Sequence, residues 1–163
     1  NNMFERYNEK SPLYVWRDKS GDKYQFHFEE LQFCNSRDAQ ISREQLMYFR
    51  TKHPVLSKLF RKEEQKITTD VVDAYYYSWN IIKGRFPAGE EIISTNAEYA
   101  FKYAANVING EFLAGEPAIA KSAFFSYMYV THVIKRRFKQ GEASIFSNPS
   151  YAQLYTDFLQ SGN

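Results

Sequence analysis

The chain contains one cysteine, Cys34, among its 163 residues. An intrachain disulfide is therefore excluded, and so is a zinc site built from several thiolates. A reducing compartment is expected. No apolar run approaches the roughly 20 residues that a membrane-spanning helix needs. No stretch near the start has the pattern of a secretory signal, and the protein is expected to be soluble. A surplus of one charge is also missing: 21 basic residues face 19 acidic ones, for a net charge of +2. Composition alone thus does not mark a nucleic-acid binder. There is no phosphate-cradling glycine loop, no His-Glu-x-x-His and no Gly-x-Ser-x-Gly. Leucine is scarce, with eight residues, and aromatics take its place: 13 Tyr, 14 Phe and 2 Trp, or 18%. A core built of such rings has many hydroxyls to satisfy. The chain opens on Asn1-Asn2 with its first methionine at position 3, so a fragment, a processed product or the ordered part of something longer is expected.

Self-similarity is the strongest signal in the sequence. Three stretches align without gaps at a period of 26 residues, beginning at Gly84, Gly110 and Arg136. Each carries Phe (Phe86, Phe112, Phe138), then a Gly-Glu pair (Gly89-Glu90, Gly115-Glu116, Gly141-Glu142), then Ile (Ile93, Ile119, Ile145). Upstream, Tyr77, Tyr103, Tyr129 and Tyr155 share a column, as do the small residues Ala74, Ala100, Ser126 and Ala152. In the second unit Ala100, Tyr103, Ala104, Val107 and Ile108 fall at helical spacing. Asp70, Asn96, Ser122 and Asn148 stand where an N-cap is needed. Gly84 and Gly110 stand where a C-terminal cap with positive φ is expected, and Arg136 should strain that cap in the third unit. A second, shorter helix is expected from near Pro87, Ala114 and Gln140. A pair of helices of this size cannot bury its apolar face alone, and stacking on neighbours gives a solenoid.

The first 40 residues read differently. Leu13 to Trp16 and Tyr24 to Phe28 are β-prone runs joined by an Asp18–Asp22 turn, with a further strand expected between Glu30 and Cys34. Ser42-Arg43-Glu44-Gln45 is a capping box opening a helix to about Lys52, which His53-Pro54 ends. Another helix runs from Val55 to about Gln65. The expected fold class is α+β: a β-hairpin-containing part over 1–40, connecting helices over 41–68, and a short right-handed α-solenoid over 69–163.

The pattern Tyr-Ala-x-x-Tyr-Ala-x-x-Val-Ile-x-Gly-x-Phe-x-x-Gly-Glu-x-x-Ile-Ala, clearest at Tyr99 to Ala120, resembles helical repeats of uncharacterised tailed-phage proteins. The block from Tyr7 to Asp38 is similar to a segment of uncharacterised phage and bacterial proteins, in which a Trp-Cys-Thr box usually precedes it. These resemblances imply a phage source and a mixed α/β N-terminal part, and they supply no catalytic residues.

His27, Cys34 and Asp38 lie close in sequence, and a Cys–His pair can make a nucleophile. Their spacing is not diagnostic, and a small buried Cys is the plainer reading. His53 and His132 lack metal-ligand spacing. The three Gly-Glu pairs read as first-turn carboxylates complementing the helix dipole. No catalytic, cofactor or metal residue is assigned, and no cofactor is expected. Lys83, Arg85, Lys135, Arg136, Arg137 and Lys139, with Lys121 nearby, form the densest basic set. With Tyr75, Phe101 and Tyr127 taken as exposed, this edge could hold single-stranded nucleic acid. Glu111 interrupts it, and a solvated helix end is the plainer reading. The preferred function is a protein-interaction module binding a host or phage protein through the repeat surface. Its expected location is the bacterial host cytoplasm or the virion, with no membrane. The alternative is a nucleic-acid-binding protein, and the third is an enzyme completed by upstream sequence.

Overall fold

A computed structural model describes residues 5–6 and 12–162. It is an α+β protein that divides into two compact units, one up to Gln65 and one from Lys66.

The first unit opens on an antiparallel sheet in sequence order: β1 (Glu5–Arg6), β2 (Leu13–Arg17), β3 (Lys23–His27) and β4 (Gln32–Asn35). The β2–β3 turn is tied by Asp18, whose Oδ1 accepts from the Ser20 and Asp22 amides at 2.9 Å each. Gly21 takes the positive φ of 91° that this turn requires. The register Trp16↔Tyr24, Tyr14↔Phe26 and Phe26↔Phe33 puts these rings on one face, while Val15, Gln25 and Cys34 occupy the other. Two helices complete the unit, α1 (Arg43–Thr51) and α2 (Leu56–Ile67). The Ser42–Gln45 capping box forms in both directions. The core is a ring cluster in which Phe26 meets Phe49 at 5.0 Å and Phe60 at 6.3 Å between centroids. His53 is buried beside it, and its Nδ1 accepts from the Leu56 amide at 3.0 Å and the Val55 amide at 3.3 Å. The residue that ends α1 thus satisfies orphan donors at the start of α2.

The described residues of the second unit form helices joined by short turns, with no strand among them. Four helices each begin at one of the expected caps. They are α3 (Val71–Tyr76), α5 (Ala97–Lys102), α7 (Ala123–Tyr129) and α9 (Pro149–Gln160), with Asp70, Asn96, Ser122 and Asn148 accepting from first-turn amides. The first three continue as π-helix, over Tyr77–Ile82, Tyr103–Ile108 and Val130–Ile134. The shorter helices are α4 (Pro87–Ile93), α6 (Glu116–Ile119) and α8 (Glu142–Phe146), the last two entered through 3₁₀ turns at Leu113–Gly115 and Lys139–Gly141. α3 packs on α4, α5 on α6 and α7 on α8.

Two sequence expectations are corrected here. The left-handed caps are Lys83, Asn109 and Lys135, at φ of 53°, 55° and 51°, not Gly84 and Gly110. The π turn adds one residue per loop: the Lys83 amide bonds back to Ser78 and so does the Gly84 amide, which shifts the reversal one position earlier than α geometry implies. Arg136 consequently strains no cap, because its position is not left-handed.

Glycine is required elsewhere. A Cβ at Gly115 would stand 2.5 Å from the Phe112 ring and 2.7 Å from the Ala100 Cβ. At Gly141 it would stand 2.5 Å from Phe138 and 2.6 Å from Ser126 Oγ. The Phe-x-x-Gly spacing and the small-residue column are therefore one packing device: the corner phenylalanine lies on the glycine, and the short helix closes on Ala or Ser.

Candidate functional site

The repeated tyrosines and glutamates form a hydrogen-bonded clasp. Tyr103 donates to Glu90 Oε1 at 2.9 Å and accepts from the Phe86 amide at 2.8 Å. Tyr129 does the same with Glu116 and Phe112, and Tyr155 with Glu142 and Phe138, all at 3.1 Å. Burial, joined by the neighbouring carboxylate, pushes the Tyr103 and Tyr129 phenols up. The Glu90 and Glu142 carboxyls are held below the usual range, chiefly by Arg85 and Arg137. These glutamates stand in first turns as expected, and they also hold a tyrosine from the following stretch.

The basic residues singled out from the sequence are all exposed, but their guanidinium groups are engaged. Arg85 lies 2.8 Å from Glu90, Arg136 2.8 Å from Glu111 and Arg137 2.5 Å from Glu142. The middle stretch has Glu111 where the others have Arg85 and Arg137, and Arg136 stands where the others have Gly84 and Gly110. The two departures compensate each other as an ion pair. Gln140 Nε2 donates to Glu116 Oε2 at 3.1 Å, on the carboxylate that has no arginine beside it in sequence. Lys83 and Lys135 are two of the three left-handed caps, and Lys139 begins a 3₁₀ turn.

Tyr75 was expected at the surface and is buried, with 1% of its area exposed. The next helix covers it: its ring lies 5.5 Å from Tyr99, and its hydroxyl accepts from Asn106 Nδ2 at 2.9 Å. Phe101 and Tyr127 are half-buried. What does stand out is an aromatic band along the first helices. Trp79 is 45% exposed, Phe124 42% and Tyr76 41%. Tyr75 links Tyr76, Trp79 and Tyr99 at 5.1, 5.7 and 5.5 Å. Farther on, Phe101 meets Phe125 at 6.0 Å, Phe125 meets Phe124 at 4.9 Å, and Tyr151 lies 6.0 Å from Phe124 and 5.8 Å from Tyr127. Leu154 adds exposed apolar area on α9. A soluble surface seldom carries large rings in series without a partner. The sequence signal was available: Tyr76, Trp79 and Phe124 fall off the inner stripe of a 3.6-residue wheel.

Family models, curated proteins and solved structures yield no match to the chain.

The other candidates form no centre. His27 Nδ1 lies 3.3 Å from Glu30 Oε2. Cys34 sits diagonally from it on the polar sheet face, opposite Gln25 rather than His27. Asp38 occupies an exposed left-handed turn. Exposed His132 faces the Met128 carbonyl at 3.2 Å. Among the described residues no group of three or more His, Cys, Asp or Glu could hold a metal ion, and no helix is long and apolar enough to cross a membrane.

Proposed function

We propose that the protein is an interaction module that binds another protein through the aromatic band of α3, α5, α7 and α9. The observation that carries this reading is the exposure of Tyr76, Trp79 and Phe124 within a series of ring contacts running from α3 to α9. Trp and Tyr dominate binding energy at protein interfaces because they bury large areas at low entropic cost. The same reading takes the helical unit as a short α-solenoid of 26-residue helical hairpins. The Tyr–Glu clasps support it, since each ties one stretch to the following helix. A phage origin, a host or phage protein as partner, and a place in the bacterial cytoplasm or virion complete the proposal and rest on the sequence resemblance.

Nucleic-acid binding through the basic edge is disfavoured by the geometry, because phosphate would have to displace Glu90, Glu111 and Glu142 from three arginines. One experiment separates the readings. Partner capture by the wild-type chain is compared with a Trp79→Ser/Phe124→Ser variant and an Arg136→Ala/Arg137→Ala variant, each checked for unchanged helicity. Capture should vanish in the first and persist in the second. Submicromolar nucleic-acid binding near physiological salt, lost in the arginine variant, would overturn the proposal.

A further inference from the structure

In the first unit an open cleft of about 350 Å³ lies between the β2–β3 turn and α1. That volume is at the small end of ligand sites and suits a head group rather than a large molecule. Its floor is aromatic. Trp16, Tyr24 and Phe49 are buried there, with Trp16 5.6 Å from Tyr24 and 5.3 Å from Phe49 between ring centroids. Tyr48, 45% exposed, stands as a wall against Phe49. The polar lining holds two carboxylates beside Gln45, whose Nε2 donates to the Tyr24 hydroxyl at 3.3 Å. Asp18 is fixed by the turn that closes on its Oδ1, and Glu44 projects from the first turn of α1 with no hydrogen bond or ion pair among the described residues. Among the described residues no lysine or arginine lines the cleft. The field is felt within it: the Tyr24 phenol is pushed up by burial first and then by the negative charges of Asp18 and Asp22.

Ring faces attract cations through their quadrupole, and a nearby carboxylate adds direct Coulomb attraction. We propose that this cleft is a binding site for an organic cation, an alkylammonium or guanidinium group resting on the Tyr48 and Trp16 rings and neutralised by Asp18 and Glu44. The cation comes from a free small molecule or from a basic side chain of a peptide. The site is independent of the aromatic band, which belongs to the other unit.

The test uses the full chain carrying Trp79→Phe, so that Trp16 is the one remaining indole. Choline probes the free-molecule source and N-acetyl-argininamide the side-chain source. The neutral isostere 3,3-dimethylbutanol is the control. Trp16 fluorescence should respond saturably to at least one cation, with the neutral alcohol about tenfold weaker or worse. Glu44→Gln and Tyr48→Ala should each weaken the responding cation by about three- to tenfold. Both positions are exposed, so the variants should keep the wild-type circular dichroism, and Glu44→Gln alone suffices if Tyr48→Ala does not fold. Equal binding of the neutral alcohol, no saturable response to either cation up to about 100 mM, or unchanged affinity in Glu44→Gln would overturn the proposal.

Discussion

In the sheet unit Phe26, Phe28, Phe33, Phe49 and Phe60 lie ring against ring with no polar atom to satisfy, whereas Tyr103, Tyr129 and Tyr155 in the helical unit are as deeply buried and each carries a hydroxyl bonded on two sides. The phenylalanine cluster is held by area and shape, which are non-directional. The tyrosine clasp is directional: one hydroxyl fixes a corner amide and a carboxylate at once, which sets the register of one stretch against the following one. An all-phenylalanine column would bury similar area and specify less. The two units thus use the same ring-rich composition for different ends, bulk in one and register in the other.

The comparison is tested first at its strongest point. Phe26→Ala removes a fully buried ring and should destabilise the sheet unit by about 3–5 kcal/mol, read from Trp16 fluorescence in urea with Trp79 replaced by Phe. Phe26→Leu should recover most of that loss, leaving less than about 1.5 kcal/mol. If Leu is as damaging as Ala, the cluster depends on ring geometry and the contrast with the helical unit collapses.

A smaller effect probes the other side. Tyr103→Phe keeps the ring but removes the hydroxyl that joins the buried Phe86 amide to Glu90, and should cost the helical unit about 1–3 kcal/mol. Tyr24→Phe in the sheet unit gives up one long bond from Gln45, at 3.3 Å, and should cost no more than about 0.5 kcal/mol. Amide hydrogen exchange locates the loss: protection at Phe86 should drop in Tyr103→Phe alone. Equal costs would mean that the hydroxyls do not set the register.

This contrast also separates what the sequence made legible. Periodicity put Tyr77, Tyr103, Tyr129 and Tyr155 in one column, and side-chain chemistry placed the caps at Asp70, Asn96, Ser122 and Asn148, because both are local signals. The capping box and the β-hairpin were readable for the same reason. The π turns were not. Tyr155 belongs to the same column, yet α9 stays α-helical through Gln160, Ser161 is right-handed, and the left-handed residue comes one later, at Gly162 with φ of 74°. The π turn therefore goes with the docked Phe corner, not with the tyrosine or with a left-handed end, and docking is a tertiary event. The burial of Tyr75 was hidden likewise, since a single helix wheel does not show what the next helix covers. The aromatic band was visible as composition but not as a surface, and the arginine pairs depended on distances of 5 and 25 residues that only the fold brings together.

Acid should distinguish the units in a narrower way. His53 is kept neutral by burial, which lowers its pKa from 6.5, and its Nδ1 must be unprotonated to accept the Val55 and Leu56 amides. Its contribution is fully present above the unfolded value near 6.5 and declines as pH falls toward the folded value. The sheet unit should therefore weaken below about pH 6.5, while the clasp tyrosines, whose phenols are raised, have no transition there. His53→Asn should flatten that pH dependence in unit-resolved hydrogen exchange, and it also controls for His27 in the same unit. Equal sensitivity of both units across this range would remove the distinction.

The smallest expected effect concerns the exposed arginines that pair with the clasp glutamates. Arg137 lies 2.5 Å from Glu142, but its side chain is 59% exposed, so water and salt screen the attraction. Arg137→Ala should cost the helical unit less than Tyr103→Phe does, and the loss should shrink as salt is raised. Arg137 is the leading cause that holds the Glu142 carboxyl low. The stability that this pair adds is present above the ordinary glutamate range and is lost as pH falls toward the lowered folded value, so wild type and variant should converge in acid. Tyr155 still donates to Glu142 in the variant, which keeps the corner amide of Phe138 bonded to the same hydroxyl. A loss matching that of Tyr103→Phe, insensitive to salt, would place the register in the arginine–glutamate pair and take it from the tyrosine hydroxyl.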